Sequence, residues 1–381
     1  MKVLTNARVL SENGVRSGHT VVIDEGRIQK IAKNGEIGDN FTEQYDLDGQ
    51  LLLPGFIDVQ VNGGGGVLFN DAPTVETIRT IGASHRKFGT TGFLPTLISD
   101  ELSVVEAAIA AANEALAAGV PGLLGIHIEG PFLNPVKRGA HDASKFRALD
   151  DAAFEVLTKL KTGKTIVTIA PEMTEPEMIR RLADAGVVVS AGHTNATYDQ
   201  VRAAIDAGLS GFTHLFNAMS PLTSREPGVV GAALEDENTW SGMIVDGHHV
   251  SPVTMRIAIT AKSLDRFMLV TDAMPSVGWD GRQFELGGKH IEVVDGRCVS
   301  ADGTLSGSHL DMASAVRNAI AMLNIDLVDA VYMASRNPAK FLGHGSQLGQ
   351  IKPGYLANLV LVDDDMRVID TWINGVSFSS H

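Results

Sequence analysis

Cysteine is nearly missing from this chain of 381 residues. Cys298 stands alone, which forbids an internal disulfide and any thiolate metal cluster built from one copy. No apolar run approaches the roughly 18 residues of a membrane span. The opening Met1-Lys2-Val3-Leu4-Thr5-Asn6-Ala7-Arg8 has none of the apolar core of a secretory signal. An excess of positive charge is also missing. With 45 acidic against 31 basic residues the formal net charge is −14, which argues against nucleic acid or an anionic membrane as the principal partner. A local basic pocket for an anionic small molecule stays compatible with that balance. The expectation is a cytoplasmic enzyme with a small-molecule substrate.

What is present divides into three parts. Residues 1–52 hold short β-prone runs (Val3 to Leu10, Thr20 to Asp24, Arg27 to Ala32, Gln50 to Leu53) punctuated by Asn13-Gly14, Glu25-Gly26, Asn34-Gly35 and Asp48-Gly49, the signature of hairpins. Residues 343–381 have the same texture, in Tyr355 to Asp363 and Val368 to Ile373. The two ends are expected to form one discontinuous β-sandwich domain. Between them, residues 53–342 repeat a strand-then-helix rhythm with eight strand candidates: Gly55 to Val61, Gly92 to Leu97, Leu123 to Glu129, Ile166 to Pro171, Val187 to Gly192, Gly211 to Leu215, Ser241 to Asp246 and Phe267 to Thr271. Eight such repeats predict an α/β fold, a (β/α)8 TIM barrel. An open doubly wound sheet would show a dinucleotide turn after its first strand. Gly63-Gly64-Gly65-Gly66 lacks that spacing and is expected to be a flexible loop over the barrel mouth.

The stretch from Val187 to Met219 carries the strongest chemical signal. Val187 to Gly192 delivers His193, Tyr198 to Ala207 reads as a helix, and Gly211 to Thr213 delivers His214. In a βαβ unit both strands are parallel, so both imidazoles arrive at the same edge, where barrels build their chemistry. Of twelve histidines, five fall on predicted strand ends (His127, His193, His214, His248 and His249), with His141 in a following loop. Glu129, His193 and His214 make a three-ligand set that leaves a fourth tetrahedral position open, as catalytic zinc requires. His127 shares a face with Glu129 and is read as a hydrogen-bond partner behind the ligands, with a ligand role as the alternative. Asp272 ends an apolar run opposite that set and is placed to act as general base and acid.

Nine stretches in order, among them His127-Ile128-Glu129-Gly130-Pro131, Lys137-Arg138-Gly139-Ala140-His141, Ser190-Ala191-Gly192-His193-Thr194, Thr213-His214-Leu215-Phe216-Asn217-Ala218-Met219 and Val270-Thr271-Asp272-Ala273, resemble the amidohydrolase superfamily and, within it, its deacetylases of amino-sugar phosphates along nearly the whole chain. The resemblance implies Glu129, His193 and His214 as ligands of one divalent ion, most simply Zn2+, with Fe2+, Co2+ or Mn2+ as alternatives. It implies Asp272 as the acid/base, and a substrate site lined by Ala140, His141, Asn217, Ala218, Arg225, His249, Leu305, Ser306 and Gly307. It further implies deacetylation of N-acetyl-D-glucosamine 6-phosphate, with Arg225 and His249 as cations for the phosphate. A homodimer is implied too, in which His249 reaches the neighbouring subunit's site.

One departure from the superfamily bears on the metal. Most members carry His-x-His after the first strand, and binuclear ones a carbamylated Lys after the fourth. Here those places read Gln60-Val61-Asn62 and Thr168-Ile169-Ala170-Pro171-Glu172. Amides are poor zinc ligands beside imidazole, so one tight metal is expected, with Gln60 and Asn62 holding at most water or a weak second ion. The rival readings are an amidohydrolase for a cyclic amide, a nucleobase or an N-acyl amino acid, and a barrel that binds without catalysing.

Overall fold

A computed structural model describes residues 1–38 and 41–379. At its centre is a parallel sheet of Phe56–Val61, Thr90–Ile98, Gly125–Glu129, Lys164–Ile169, Val188–Ala191, Gly211–Phe212, Trp240–Met243 and Phe267–Leu269, each strand beside the next in chain order. All eight expected strands are there. A parallel bridge between Val61 and Ala273 closes the ring, next to the Asp272 N–H, which donates to the Gln60 carbonyl at 2.9 Å. The strands are short apolar runs because both their faces are covered, by side chains inside and helices outside. Phe56, Phe93, Phe212 and Phe267 are among the largest fully buried side chains.

The helices follow from local sequence. Leu102–Ala117 is rich in strong helix formers, and Val105, Ala108, Ile109, Ala112 and Ala115 recur at the spacing that lines one buried face. Tyr198–Asp206 begins at a reciprocal cap: the Thr197 hydroxyl accepts from the Gln200 N–H, and the Gln200 side chain accepts from the Thr197 N–H. That cap fixes where the turn carrying His193 ends.

Both chain ends meet in one sheet, in the order Val376–Ser377, Val368–Ile373, Leu359–Val362, Leu51–Pro54, Lys2–Ser11, Gly14–Asp24, Arg27–Lys33, with Glu43–Asp46 also paired to Lys2–Ser11. Leu361 pairs with Leu52, which stitches the C-terminal run to the N-terminal one. Leu4, Val9, Ile28, Leu359 and Trp372 form a core of their own there.

Two features differ from expectation. Gly63–Gly64 pairs antiparallel with Val67–Leu68 in a tight hairpin, not a flexible loop. A Cβ on Gly64 would lie 2.9 Å from the His85 ring, and one on Gly63 only 2.5 Å from the Val67 carbonyl, so close packing explains the glycines. Past the eighth strand, Gln283–Leu286, Lys289–Val294, Arg297–Ser300 and Leu305–Ser308 form a separate antiparallel sheet that was not foreseen. Its last strand docks beside the barrel, where the Ser308 N–H donates to the Asp272 carbonyl at 2.9 Å.

Candidate active site

The C-terminal strand ends open into a cavity of about 290 Å³. Glu129 closes the third strand, and His193 and His214 leave the fifth and sixth; all three are buried, at 2, 6 and 4 % exposure. Glu129 Oε1 lies 3.1 Å from His193 Nε2 and 2.9 Å from His214 Nε2, and the two Nε2 atoms are 3.0 Å apart. One candidate ligand atom from each residue thus falls within 4.8 Å of the others. His193 Nδ1 faces the Lys137 carbonyl at 2.8 Å, so in the neutral ring Nδ1 carries the proton and Nε2 presents a lone pair. A lone pair and a carboxylate oxygen held this close repel one another unless a cation lies between them. The donor set therefore fits a divalent ion with oxygen and nitrogen ligands.

The local electrostatics agree. Burial alone would raise the Glu129 carboxyl, yet the two imidazoles bring it well below the usual carboxylate range. Burial works against charge on His214, but Glu129 and Asp272 hold its pKa above that of a free imidazole. Asp272 lines the same cavity, and burial followed by the nearby Glu129 charge lifts its carboxyl to about 6. Its backbone is gripped from both sides, by the Gln60 carbonyl and the Ser308 N–H, each at 2.9 Å.

Gln60 and Asn62, expected to hold at most water or a weak second ion, bond to the neighbouring acids, and Asn62 also lines the cavity. Gln60 Nε2 lies 3.1 Å from Glu129 Oε2 and 3.2 Å from Asp272 Oδ1, and Asn62 Nδ2 lies 2.6 Å from that same Oδ1. Both present N–H donors to carboxylates, and the Asn62 Oδ1 is buried without a hydrogen-bond partner. His127 sits behind the ligands, its Nδ1 3.0 Å from the Val59 carbonyl and its Nε2 2.7 Å from the Thr168 hydroxyl. Burial lowers its pKa to about 4, so it is neutral and fully engaged inside the barrel.

His141 joins the site from the loop after the third strand. The Ser99 N–H donates to its Nδ1 at 3.3 Å, which leaves the proton on Nε2, 4.0 Å from Glu129 Oε1. Burial and the neighbouring His193 push its pKa down to about 3, so His141 is a neutral N–H donor at the cavity wall. Ala140, Asn217, Ala218, Leu305 and Gly307 line the cavity. Ser306 does not. It lies between two lining residues on one strand, so its side chain points to the other face, where it is buried. His249 lines the cavity of its own chain, held by Asp246 Oδ2 at 2.6 Å from Nδ1. Arg225 is exposed in the loop before Gly228–Glu235 and is not part of the cavity wall. Sequence reasoning missed Ile98, Ile244, Met274, Leu286 and Thr304, which also line that wall. Ile98 and Ile244 at strand ends, and Met274 two residues past Asp272, carried a positional clue.

An eight-stranded parallel barrel with a buried carboxylate and two imidazoles converging at its C-terminal edge is the layout of a metal-dependent hydrolase. A model of the amidohydrolase family matches residues 51–377, and the chain belongs to that family. It is 44 % identical to the N-acetylgalactosamine-6-phosphate deacetylase of Shewanella sp. (strain ANA-3), over 98 % of this chain and 95 % of that protein. It is 35 % identical to the N-acetylglucosamine-6-phosphate deacetylase of Haemophilus influenzae, over 98 % of each. Among solved structures, N-acetylglucosamine-6-phosphate deacetylase from Pasteurella multocida superposes with a TM-score of 0.95 at 36 % identity, over 99 % of both chains. A substituted form of the Mycobacterium smegmatis enzyme, in complex with N-acetyl-D-glucosamine-6-phosphate, gives 0.90 at 34 % identity, over 99 % of this chain and 98 % of that one.

Proposed function

We propose that this protein hydrolyses N-acetyl-D-glucosamine 6-phosphate to D-glucosamine 6-phosphate and acetate, in the cytoplasmic catabolism and recycling of amino sugars. The observation that carries the reading is the convergence of Glu129 Oε1 and the Nε2 atoms of His193 and His214 at one point of a cavity that Asp272 also lines. In this reading Glu129, His193 and His214 hold one divalent ion, most simply Zn2+. When bound, that ion supplies Lewis acidity, which acidifies water and polarises an acyl oxygen.

The chain's own groups do the rest. Asp272 accepts a proton from water as the water oxygen bonds to the acetyl carbon. It returns the proton to the amide nitrogen as the C–N bond breaks, so the amine departs neutral. The His141 Nε2–H donates to the acetyl oxygen while negative charge builds there. Asn217, Ala218 and His249 border the sugar phosphate, and Arg225 closes over it from the exposed loop. The chain pairs as a homodimer through Pro252–Ala261, whose Val253 and Ile257 are 56 % and 63 % exposed just beyond His249. The terminal sheet and the barrel form its two domains, divided near residues 52 and 342.

A second reading is favoured by the 44 % identity to the Shewanella relative: the 4-epimer, N-acetyl-D-galactosamine 6-phosphate, as the preferred substrate. Purified, zinc-loaded protein offered both phosphorylated sugars and unphosphorylated N-acetylglucosamine separates the cases through acetate release. Turnover of the gluco sugar phosphate above the other two supports the first reading. A preference for the galacto epimer selects the second, and no acetate from either phosphate refutes both.

A further inference from the structure

We propose that Gln60 is a positioning residue for the reaction, its side-chain amide tying the metal-binding carboxylate of Glu129 to the acid/base carboxylate of Asp272 and setting which oxygen of each is free. The inference rests on the deacetylase reading of this site. Gln60 Nε2 has two hydrogens and two acceptors in reach, Glu129 Oε2 at 3.1 Å and Asp272 Oδ1 at 3.2 Å. The opposite amide orientation would press a carbonyl oxygen against both carboxylates, so the network fixes the NH2 group inward.

The consequences differ for the two acids. Glu129 meets the imidazoles through Oε1, so Gln60 holds Oε2 away and leaves a single oxygen for the ion. Asp272 Oδ1 receives a second donor, Asn62 Nδ2 at 2.6 Å, which leaves Oδ2 as the oxygen that takes and gives the proton. Two buried carboxylates this near repel, and an amide between them offsets that repulsion while fixing their spacing.

Gln60 is itself hard to move. It is 1 % exposed; its N–H donates to Asp58 Oδ1 at 3.2 Å and its carbonyl accepts from the Asp272 N–H at 2.9 Å. The Thr271 hydroxyl donates to Asp58 Oδ2 at 2.5 Å, so Asp58 fastens the strand carrying Asp272 to the strand carrying Gln60. Main chain and side chain of Gln60 thus act on the same neighbour.

Gln60→Met keeps the length and removes both donors, Gln60→Asn keeps the polarity but is one methylene short of the span, and Asn62→Leu serves as contrast. We expect both Gln60 variants to lower kcat by about 10- to 100-fold, as lost support behind a metal site does, with the metal still bound. KM stays within about threefold, since substrate binding is untouched. Combined with Asp272→Asn, the Gln60 changes cost less than they do alone, because one of the two carboxylates they act through is gone. The visible spectrum of the cobalt(II)-loaded protein, which reports how Glu129 coordinates, changes in the Gln60 variants and not in Asn62→Leu. A full kcat loss repeated in the Asp272→Asn background, or cobalt spectra that stay unchanged, overturns the proposal. Wild-type protein inert toward both sugar phosphates instead overturns the deacetylase reading, and the cobalt spectra still decide on Gln60.

Discussion

Left-handed backbone at the hairpin turns and at the barrel mouth is sustained in two different ways. In the hairpins, Glu25, Asp295 and Asn374 have φ of 48, 49 and 49°, and the glycines that follow, Gly26, Gly296 and Gly375, have 75, 78 and 73°. Positive φ at both central residues matches the twist of the flanking strands, so those turns are stable as local units. At the barrel mouth, His193, His214 and Asp272 have φ of 49, 35 and 53° with no glycine following. Each such residue costs about 1 kcal/mol or more, and distant partners must hold it. His193 is held by the Lys137 carbonyl and by the Asn134 N–H, which donates to the His193 carbonyl at 3.0 Å. Asp272 is held by Gln60 and Ser308. The hairpins bend the chain by themselves, whereas the mouth bends only inside a finished barrel.

The contrast breaks if mouth and hairpin substitutions behave alike. Asp272→Asn is expected to cost on the order of 10²–10⁴ in kcat with metal content unchanged; loss of the metal along with activity would recast Asp272 as a ligand. His141→Asn is expected to lower kcat by about 10²–10³ through loss of the oxyanion donor, measured with saturating sugar phosphate. Arg225→Ala is expected to raise KM by about tenfold at constant kcat, the size of one charge-assisted hydrogen bond. Equal KM values would remove Arg225 from phosphate binding.

The pH profile sharpens the same contrast. Asp272 must be ionised to accept a proton, and burial lifts its carboxyl to about 6. kcat/KM should therefore fall as pH falls through that value, about tenfold per unit. A bound cation favours the ionised form, so the limb of the loaded enzyme lies at or below 6. A limb well above 6 would contradict Asp272 as the base. The smallest effect belongs to the hairpins: Glu25→Gly should shift stability by no more than about 1 kcal/mol and leave turnover unchanged, checked by thermal melting.

The barrel was legible because each of its strands is a short apolar run ending in a polar residue, and Glu129, His193, His214 and Asp272 stand at such endings. The terminal sheet was legible through its Asn-Gly and Asp-Gly turns. The sheet from Gln283 to Ser308 carries the same marks, Gly287-Gly288 and Asp295-Gly296, but the barrel rhythm had already claimed that stretch. Gln60 and Asn62 were placed at the right edge, but their bonds to Glu129 and Asp272 were not read. Residue type says an amide ligates zinc poorly, but which acid its N–H meets depends on the closure between first and eighth strands. Leu286 and Thr304 had no signal of their own, since an apolar or hydroxyl residue in a hairpin is ordinary until the hairpin is placed over a cavity.

That hairpin sheet separates two kinds of inheritance. Leu286, Thr304, Leu305 and Gly307 form part of the cavity wall, yet they come from strands bonded mainly to one another. The groups that break the amide bond come from the barrel. Drift in the hairpins can reshape what enters while the cutting groups stay where they are, so descendants of this scaffold can trade one acylated amine for another without rebuilding the chemistry.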